Sequence, residues 1–287
     1  MIQKATNYLS LIKFSHTIFA LPFALIGFLT GAKAVDFEFN PSLVLGVLLC
    51  MIFARSAAMA FNRWADREID ARNSRTSIRE IPAGLISPRS AFTFTLLNCI
   101  AFIVTTWFIN EICFYLSPVA LVVVLGYSYT KRFTPLSHLV LGVGLSLAPI
   151  GAYLAVTGEF AMLPILFSVS VISWVSGFDI IYALQDENFD KQNKLFSIPS
   201  VFGTKISLRI SEVLHVIASF VLLAASFYGS YGWIYLTGWG IFTGLLIYQH
   251  SLVKPGDLSR INVAFFTTNG IASFVLAVFA AAEILIN

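Results

Sequence analysis

Apolar stretches long enough to cross the hydrocarbon of a bilayer, about 30 Å, recur along this 287-residue chain. In lipid, each backbone N–H and C=O must find its partner within the protein. Runs of this length are too long for barrel strands and predict membrane helices. Nine are expected, at about 16–33, 41–62, 91–110, 112–130, 138–157, 161–184, 211–229, 232–250 and 263–285. Pro118 and Pro149 interrupt the fourth and fifth. The chain is 57% hydrophobic and only 11% charged, against roughly 25% charged in a soluble domain. The expected fold class is all-α integral membrane, as one domain over residues 1–287.

Charge orients the helices. With a cytoplasmic N-terminus, Lys and Arg fall in the N-terminal segment and in the loops after helices two, four, six and eight. Of the opposite loops only the first carries a basic residue, Lys33, and that face holds Asp36, Glu38, Glu111, Glu159 and Glu283. This is the positive-inside pattern and places the polar face in the cytoplasm. The net charge of +3 reflects topology and argues against nucleic acid as a partner. Lys4, Lys13 and Ala32-Lys-Ala34 imitate a signal peptide, but the run is long for one, and its removal would invert the charge logic of each later loop. Cys50, Cys99 and Cys113 sit in apolar runs without metal-like spacing, and the four histidines are scattered. No protein partner is evident beyond the lipid bilayer.

Against this apolar background, two acidic segments stand out. Asn62, Asp66 and Asp70 recur at every fourth position; Tyr182, Asp186 and Asp190 repeat the spacing. On a helix each set shares one face. Magnesium takes one or two carboxylates plus water and phosphate oxygens, so such sets suit Mg2+ holding a phosphorylated substrate. Clustered acids and an anion require cations for charge balance. The ordinary alternative, a solvated helix end, is weakened because the same spacing opens both of the largest hydrophilic segments, 63–90 and 185–210. The helices preceding them look like counterparts in two halves of a bundle.

Basic residues lie close by. Arg63 lies within the first motif, Arg75 and Arg79 follow its acids, Lys131 and Arg132 end the fourth helix, and Lys191 follows the second acids. These and Tyr182 are candidate diphosphate contacts; for any one arginine, a topology-setting role is the alternative. Glu68, Glu80 and Glu187, off the shared faces, are expected to be solvated. Arg55 and Asp179 each lie two turns deeper than a motif, seven residues before Asn62 and Asp186. Charge at that depth needs a partner or water. Their mirrored placement predicts service to one interior cavity, Arg55 holding an acidic acceptor or positioning the aspartates; an ion pair between them is the structural alternative.

These motifs resemble the UbiA superfamily of intramembrane prenyltransferases over essentially the whole chain. Asn62, Asp66 and Asp70 match its NxxxDxxxD motif, and residues 73–84 are similar to its RTxxRPLPxG stretch. Asp186 and Asp190 match its DxxxD motif, Ser197-Ile-Pro199 its downstream continuation, and the Tyr-rich segment ending in Lys131-Arg132 also matches. The resemblance implies nine helices around a central cavity, capped by polar cytoplasmic loops in a bacterial inner membrane. It implies transfer of a polyprenyl group from polyprenyl diphosphate to an aromatic acceptor. The motif aspartates would bind Mg2+ and the diphosphate, and the ring would attack an allylic cation. Water would quench that cation, and aromatic faces can stabilise it.

Similarity is greatest to bacterial 4-hydroxybenzoate polyprenyltransferase-like members. Those carry a DKPIG-like segment in the first helix, where this chain reads His16-Thr-Ile-Phe-Ala-Leu-Pro-Phe-Ala-Leu25. That variant resembles prenyltransferases of the futalosine route to menaquinone, leaving both ubiquinone-type and menaquinone acceptors open. His16, with Arg55 and Asp179, is a candidate acceptor contact; a capping role is its alternative. Outside the enzymes, an ion-coupled transporter could use Arg55, Asp179 and the motif acids as a midplane site.

Overall fold

Capping residues, prolines and glycines determine where helices begin, break and end in the computed structural model, which describes residues 2–12 and 20–287. In chain order the helices are α1 (Ile2–Leu11), α2 (Leu21–Ala34), α3 (Ser42–Ala65), α4 (Arg67–Arg72), α5 (Pro88–Trp107), α6 (Glu111–Thr130), α7 (Ser137–Thr157), α8 (Met162–Ala183), α9 (Glu187–Gln192), α10 (Ile198–Tyr228), α11 (Trp233–Leu252) and α12 (Asn269–Ile286). A 3₁₀ turn, Leu184–Asp186, precedes α9, and a π-helical stretch, Val263–Thr268, precedes α12. No β-strand occurs among the described residues. Within the described residues each expected segment overlaps a helix, the first of them from residue 21 onward.

Seven helical spans among the described residues are long and apolar enough to cross a membrane. Of the remaining expected segments, α2 has 14 residues, and α11 dilutes its apolar run with Trp, Tyr, Gln and His. Pro118 and Pro149 lie inside α6 and α7, which continue through them. Large apolar side chains such as Leu97, Phe108, Tyr115, Val122 and Phe220 are exposed, as lipid-facing surfaces require. The chain is a multi-pass membrane protein.

Both long polar segments hold more helix than expected. Residues 63–90 include α4, and residues 185–210 include α9 and the beginning of α10, thirteen residues before the expected start at 211. Polar capping, rather than apolar periodicity, starts α10. Ser197 is its N-cap in a capping box with Ser200, and Pro199 occupies the first turn. Gly203 (φ 76°, ψ 166°) breaks α10 shortly afterwards in a conformation available to glycine.

The described residues fall into two compact units. The first comprises Met1–Thr17 and Asn40–Tyr129. In it, α3 packs along α5, and Leu11 of α1 joins Ala60, Ile81, Ile86 and Ala91 in a small core. The second comprises Ile18–Phe39 and Thr130–Asn287. Its α8 packs against α7 and α10 and carries Phe167, Trp174 and Phe178 into a core with Phe23, Phe242 and Leu276. A Cβ on Gly27 of α2 would overlap the backbone of Pro149 in α7, so glycine allows that close approach. Serines join the helices: Ser168 donates to the Ser146 carbonyl (2.8 Å), Ser170 to Ala218 (3.0 Å) and Ser211 to Gly177 (2.7 Å).

Glu283, one of the acids expected on the face opposite the motifs, is buried on α12 and accepts from the Gly232 and Tyr235 N–H groups at 2.7 and 3.1 Å, capping the start of α11. The Trp174 indole N–H donates to Asn269 Oδ1 at 2.9 Å. Asn269 Nδ2 returns bonds to the Ala264 and Phe265 carbonyls of the π-helical stretch.

Candidate functional site

The two acidic motifs share one local construction. Helix α3 ends at Ala65, Asp66 breaks it at φ −93°, ψ 3°, and Asp70 lies within the six-residue α4. Helix α8 ends at Ala183, the 3₁₀ turn follows, Asp186 sits at φ −104°, ψ 3°, and Asp190 lies within the six-residue α9. The expected continuous helical face is therefore interrupted at the first aspartate of each pair, in the backbone region where many active-site residues sit. In the first motif the four-residue bonding pattern survives the break, with Asp66 N–H donating to the Asn62 carbonyl (2.9 Å) and Asp70 N–H to the Asp66 carbonyl (2.8 Å).

In the first unit, Asp66 and Asp70 are almost fully buried, at 2% and 3% exposure. Asn62 Nδ2 donates to Asp66 Oδ2 at 3.2 Å and approaches Ser128 Oγ at 3.5 Å. Arg79 Nη1 donates to Asp70 Oδ1 at 2.7 Å. Asp70 Oδ2 is buried without a protein hydrogen bond, which leaves a hard oxygen available to a cation. Arg63, a candidate diphosphate contact, is buried within electrostatic reach of Arg79, Asp70, Glu80 and Tyr127. Tyr127 also lies within such reach of Arg55. Arg75 is half-buried, its backbone N–H bonded to Asn73 Oδ1 at 2.9 Å.

Glu80 departs from its expected solvation. It is 7% exposed and accepts from Ser10 of α1, because residues 73–87 fold back in successive turns beneath α1 rather than extending into water. Glu187 also departs: its side chain is 16% exposed, pairing with Lys191 at 2.6 Å and accepting from Thr204 at 2.6 Å. Its position at the start of α9 brings it against the break in α10. Glu68 is solvated as expected, with a 73% exposed side chain.

In the second unit, Asp186 and Asp190 are half-buried. Ser197 Oγ donates to Asp190 Oδ2 at 2.9 Å. Lys131 is close enough to act electrostatically on Asp190, and the Lys131 carbonyl accepts from Phe196 N–H at 2.7 Å. Arg132 is exposed. Lys191, expected to meet diphosphate, is exposed and engaged by Glu187. Tyr182 stacks on Phe265 with centroids 4.1 Å apart. Asp179 is bonded to His138, Nδ1 to Oδ2, at 2.7 Å, so α7 supplies a partner for this deep carboxylate. His16 lies outside the described residues.

Spacing alone did not reveal His138, Ser197, Ser128 or Thr204, because each reaches its partner across a turn or helix packing. Ser197-Ile-Pro carried a capping signal, but not the direction of its hydroxyl. Among the described residues no three His, Cys, Asp or Glu side chains converge as a metal cluster. Magnesium does not require one, since water and phosphate complete its octahedron. A side-chain donor fixes one carboxylate oxygen of each of Asp66, Asp70 and Asp190. Such donors orient ligands toward a metal, and within the first unit the open Asp70 oxygen is a hard donor that suits Mg2+.

The UbiA prenyltransferase family model matches residues 20–271. A 4-hydroxybenzoate octaprenyltransferase from Aliivibrio fischeri (strain MJ11) is 29% identical over 265 residues, covering 88% of this chain and 87% of that protein. One from Tolumonas auensis is 30% identical over 229 residues, covering 78% of each. Among solved structures, the apo form of a UbiA homologue from Aeropyrum pernix K1 has 27% identity and a TM-score of 0.81, covering 95% of this chain and 98% of that one. A UbiA homologue from Archaeoglobus fulgidus bound to GPP and Mg2+ has 22% identity and a TM-score of 0.74, covering 97% and 99%.

Proposed function

The chain belongs to the UbiA prenyltransferase family, and from that premise we propose that it transfers a polyprenyl group from polyprenyl diphosphate to an aromatic quinone precursor. The preferred acceptor is 4-hydroxybenzoate, as the names of the octaprenyltransferase relatives support; a futalosine-pathway acceptor is the alternative within the class. Family membership sets aside the ion-coupled transporter. The site is proposed to face the cytoplasm across a bacterial inner membrane, supported by the charge asymmetry of the loops. Residues 1–287 are proposed to act as one catalytic domain.

The observation carrying the site assignment is the repeated break, with an aspartate at the break and another four residues later. Asn62, Asp66, Asp70, Asp186 and Asp190 would hold Mg2+. When bound, the cation supplies positive charge that neutralises diphosphate and eases its departure. Asn62, Arg79 and Ser197 hold Asp66, Asp70 and Asp190 in place. Arg63, Arg75, Arg79, Lys131, Arg132, Lys191 and Tyr182 are proposed diphosphate contacts, of which Lys191 would exchange its present carboxylate partner, Glu187, for phosphate oxygens. Arg55, His16 and Asp179 are proposed for the acceptor.

In the reaction, the allylic C–O bond breaks, the electron-rich ring carbon forms a C–C bond to the prenyl carbon, and that ring carbon then loses its proton. The deciding assay gives purified enzyme Mg2+ and labelled geranyl diphosphate, with 4-hydroxybenzoate and an aminodeoxyfutalosine acceptor in parallel. Prenylated 4-hydroxybenzoate is the expected product. Product only from the futalosine compound would move the protein to the alternative route, and no prenylated product from either would reject both.

A further inference from the structure

We propose that His138 is a positioning residue for the second acidic motif, linking Asp179 to the first turn of α10 and, through Ser197, fixing the carboxylate of Asp190. The inference rests on the reading that Asp190 helps hold the diphosphate-bound cation.

His138 lies in the first turn of α7 and is 4% exposed. Its Nδ1 is 2.7 Å from Asp179 Oδ2 on α8. Its Nε2 accepts from the backbone N–H of Ile198, the first residue of α10, at 3.3 Å. A backbone N–H can only donate, so Nε2 carries no proton and the ring proton resides on Nδ1, facing Asp179. A doubly protonated ring would oppose two N–H donors at Nε2. The two bonds therefore select one neutral tautomer.

The remaining donors of that helix start are accounted for. Pro199 has no N–H, Ser200 N–H donates to Ser197 Oγ at 3.2 Å, and Val201 N–H donates to the Ser197 carbonyl at 3.1 Å. Ser197 N–H is taken by Ser200 Oγ at 2.8 Å. The Ser197 hydroxyl proton is then directed to Asp190 Oδ2 at 2.9 Å, while Leu195 N–H donates to the Asp190 carbonyl at 2.9 Å. His138 thus completes a path from Asp179 on α8, through α7 and the α10 cap, to Asp190 on α9. No first-turn N–H of α10 is left for phosphate, so this helix start orients a ligand residue rather than binding the anion. Outer-shell partners of this kind alter metal affinity by about 10–100-fold when removed.

Two substitutions separate the two bonds of the ring. His138→Gln can place an amide oxygen near the Nε2 position and retain the Ile198 contact. His138→Asn can place an amide nitrogen near Nδ1 and retain only Asp179. The test measures Mn2+ binding by electron paramagnetic resonance to the full-length purified protein with geranyl S-thiolodiphosphate, which binds without ionising, and no acceptor. Thermal unfolding is followed in parallel. His138→Asn and Ser197→Ala are each expected to weaken Mn2+ binding by about 10-fold or more. Their combination should be no worse than the stronger single variant, and His138→Gln should stay within about threefold of the parent.

Equal weakening by both His138 substitutions, additive losses in the double variant, or unchanged Mn2+ binding with a lowered melting temperature would overturn the positioning role. Asp190→Ala distinguishes the premise. If Asp190→Ala leaves Mn2+ binding intact, the metal-site reading fails, and this inference with it. If it abolishes binding while His138→Asn does not weaken it, only the role of His138 is lost.

Discussion

At the scale of single residues, the motif aspartates combine burial with support. Asp70 has one oxygen held by Arg79 and a second buried without a protein partner. A buried carboxylate oxygen without a hydrogen bond is costly, and a bound cation would relieve that cost. Asp66→Ala, Asp70→Ala, Asp186→Ala and Asp190→Ala are each expected to lower turnover by roughly 100-fold or more, as expected when transition-state charge stabilisation is removed. Purified variants assayed at controlled Mg2+ test this; near-normal rates in all four would reject the assignment. Arg55→Ala should raise the KM for the acceptor while leaving that for prenyl diphosphate within about twofold, since uniform binding loss appears in KM. An equal rise in both would remove Arg55 from acceptor recognition.

At the scale of elements, two tight arrangements carry the second unit. Gly27 permits α2 to lie against the Pro149 backbone. Gly27→Leu should destabilise the protein by about 1–3 kcal/mol or more, because overpacking forces the backbone to move. Thermal unfolding in detergent would read the loss, and an unchanged melting temperature would refute this account of the helix pair. The second arrangement is Trp174 with Asn269. Asn269→Leu strands the buried indole N–H and releases two carbonyls of the π-helical stretch. A cost of about 1–3 kcal/mol is expected for the stranded donor. The same element scale explains why the polar segments were misread as connections. A side-chain cap from Ser197 starts α10, and α9 follows the break at Asp186 without a side-chain cap, whereas apolar periodicity detects only the long helices.

At the scale of the whole molecule, the proposed membrane orientation rests on the charge asymmetry of the loops. Lys254 and Arg260 flank the turn after α11, where Asp257 is exposed. In a variant lacking the native cysteines, Asp257→Cys should react with a membrane-impermeant maleimide in inverted vesicles and stay protected in right-side-out ones. The reverse labelling would invert the topology and place the acidic motifs outside the cell.

The helical class, the positions of the long helices and the two aspartate pairs were legible in the sequence, because lipid enforces long apolar runs and the motif chemistry is local in spacing. The burial of Glu80 and Glu283, the His138–Asp179 bond and the direction of the Ser197 hydroxyl were decided only by tertiary structure. The first three depend on residues far away in the chain, Ser10 for Glu80, the α11 start for Glu283 and α8 for His138, whereas the Ser197 hydroxyl is aimed by a turn that brings it back to Asp190. A sequence records which groups can donate and accept, but packing determines which donor reaches which acceptor. That is why the ligands of the proposed metal site could be read from spacing, while the residues that aim them required the fold.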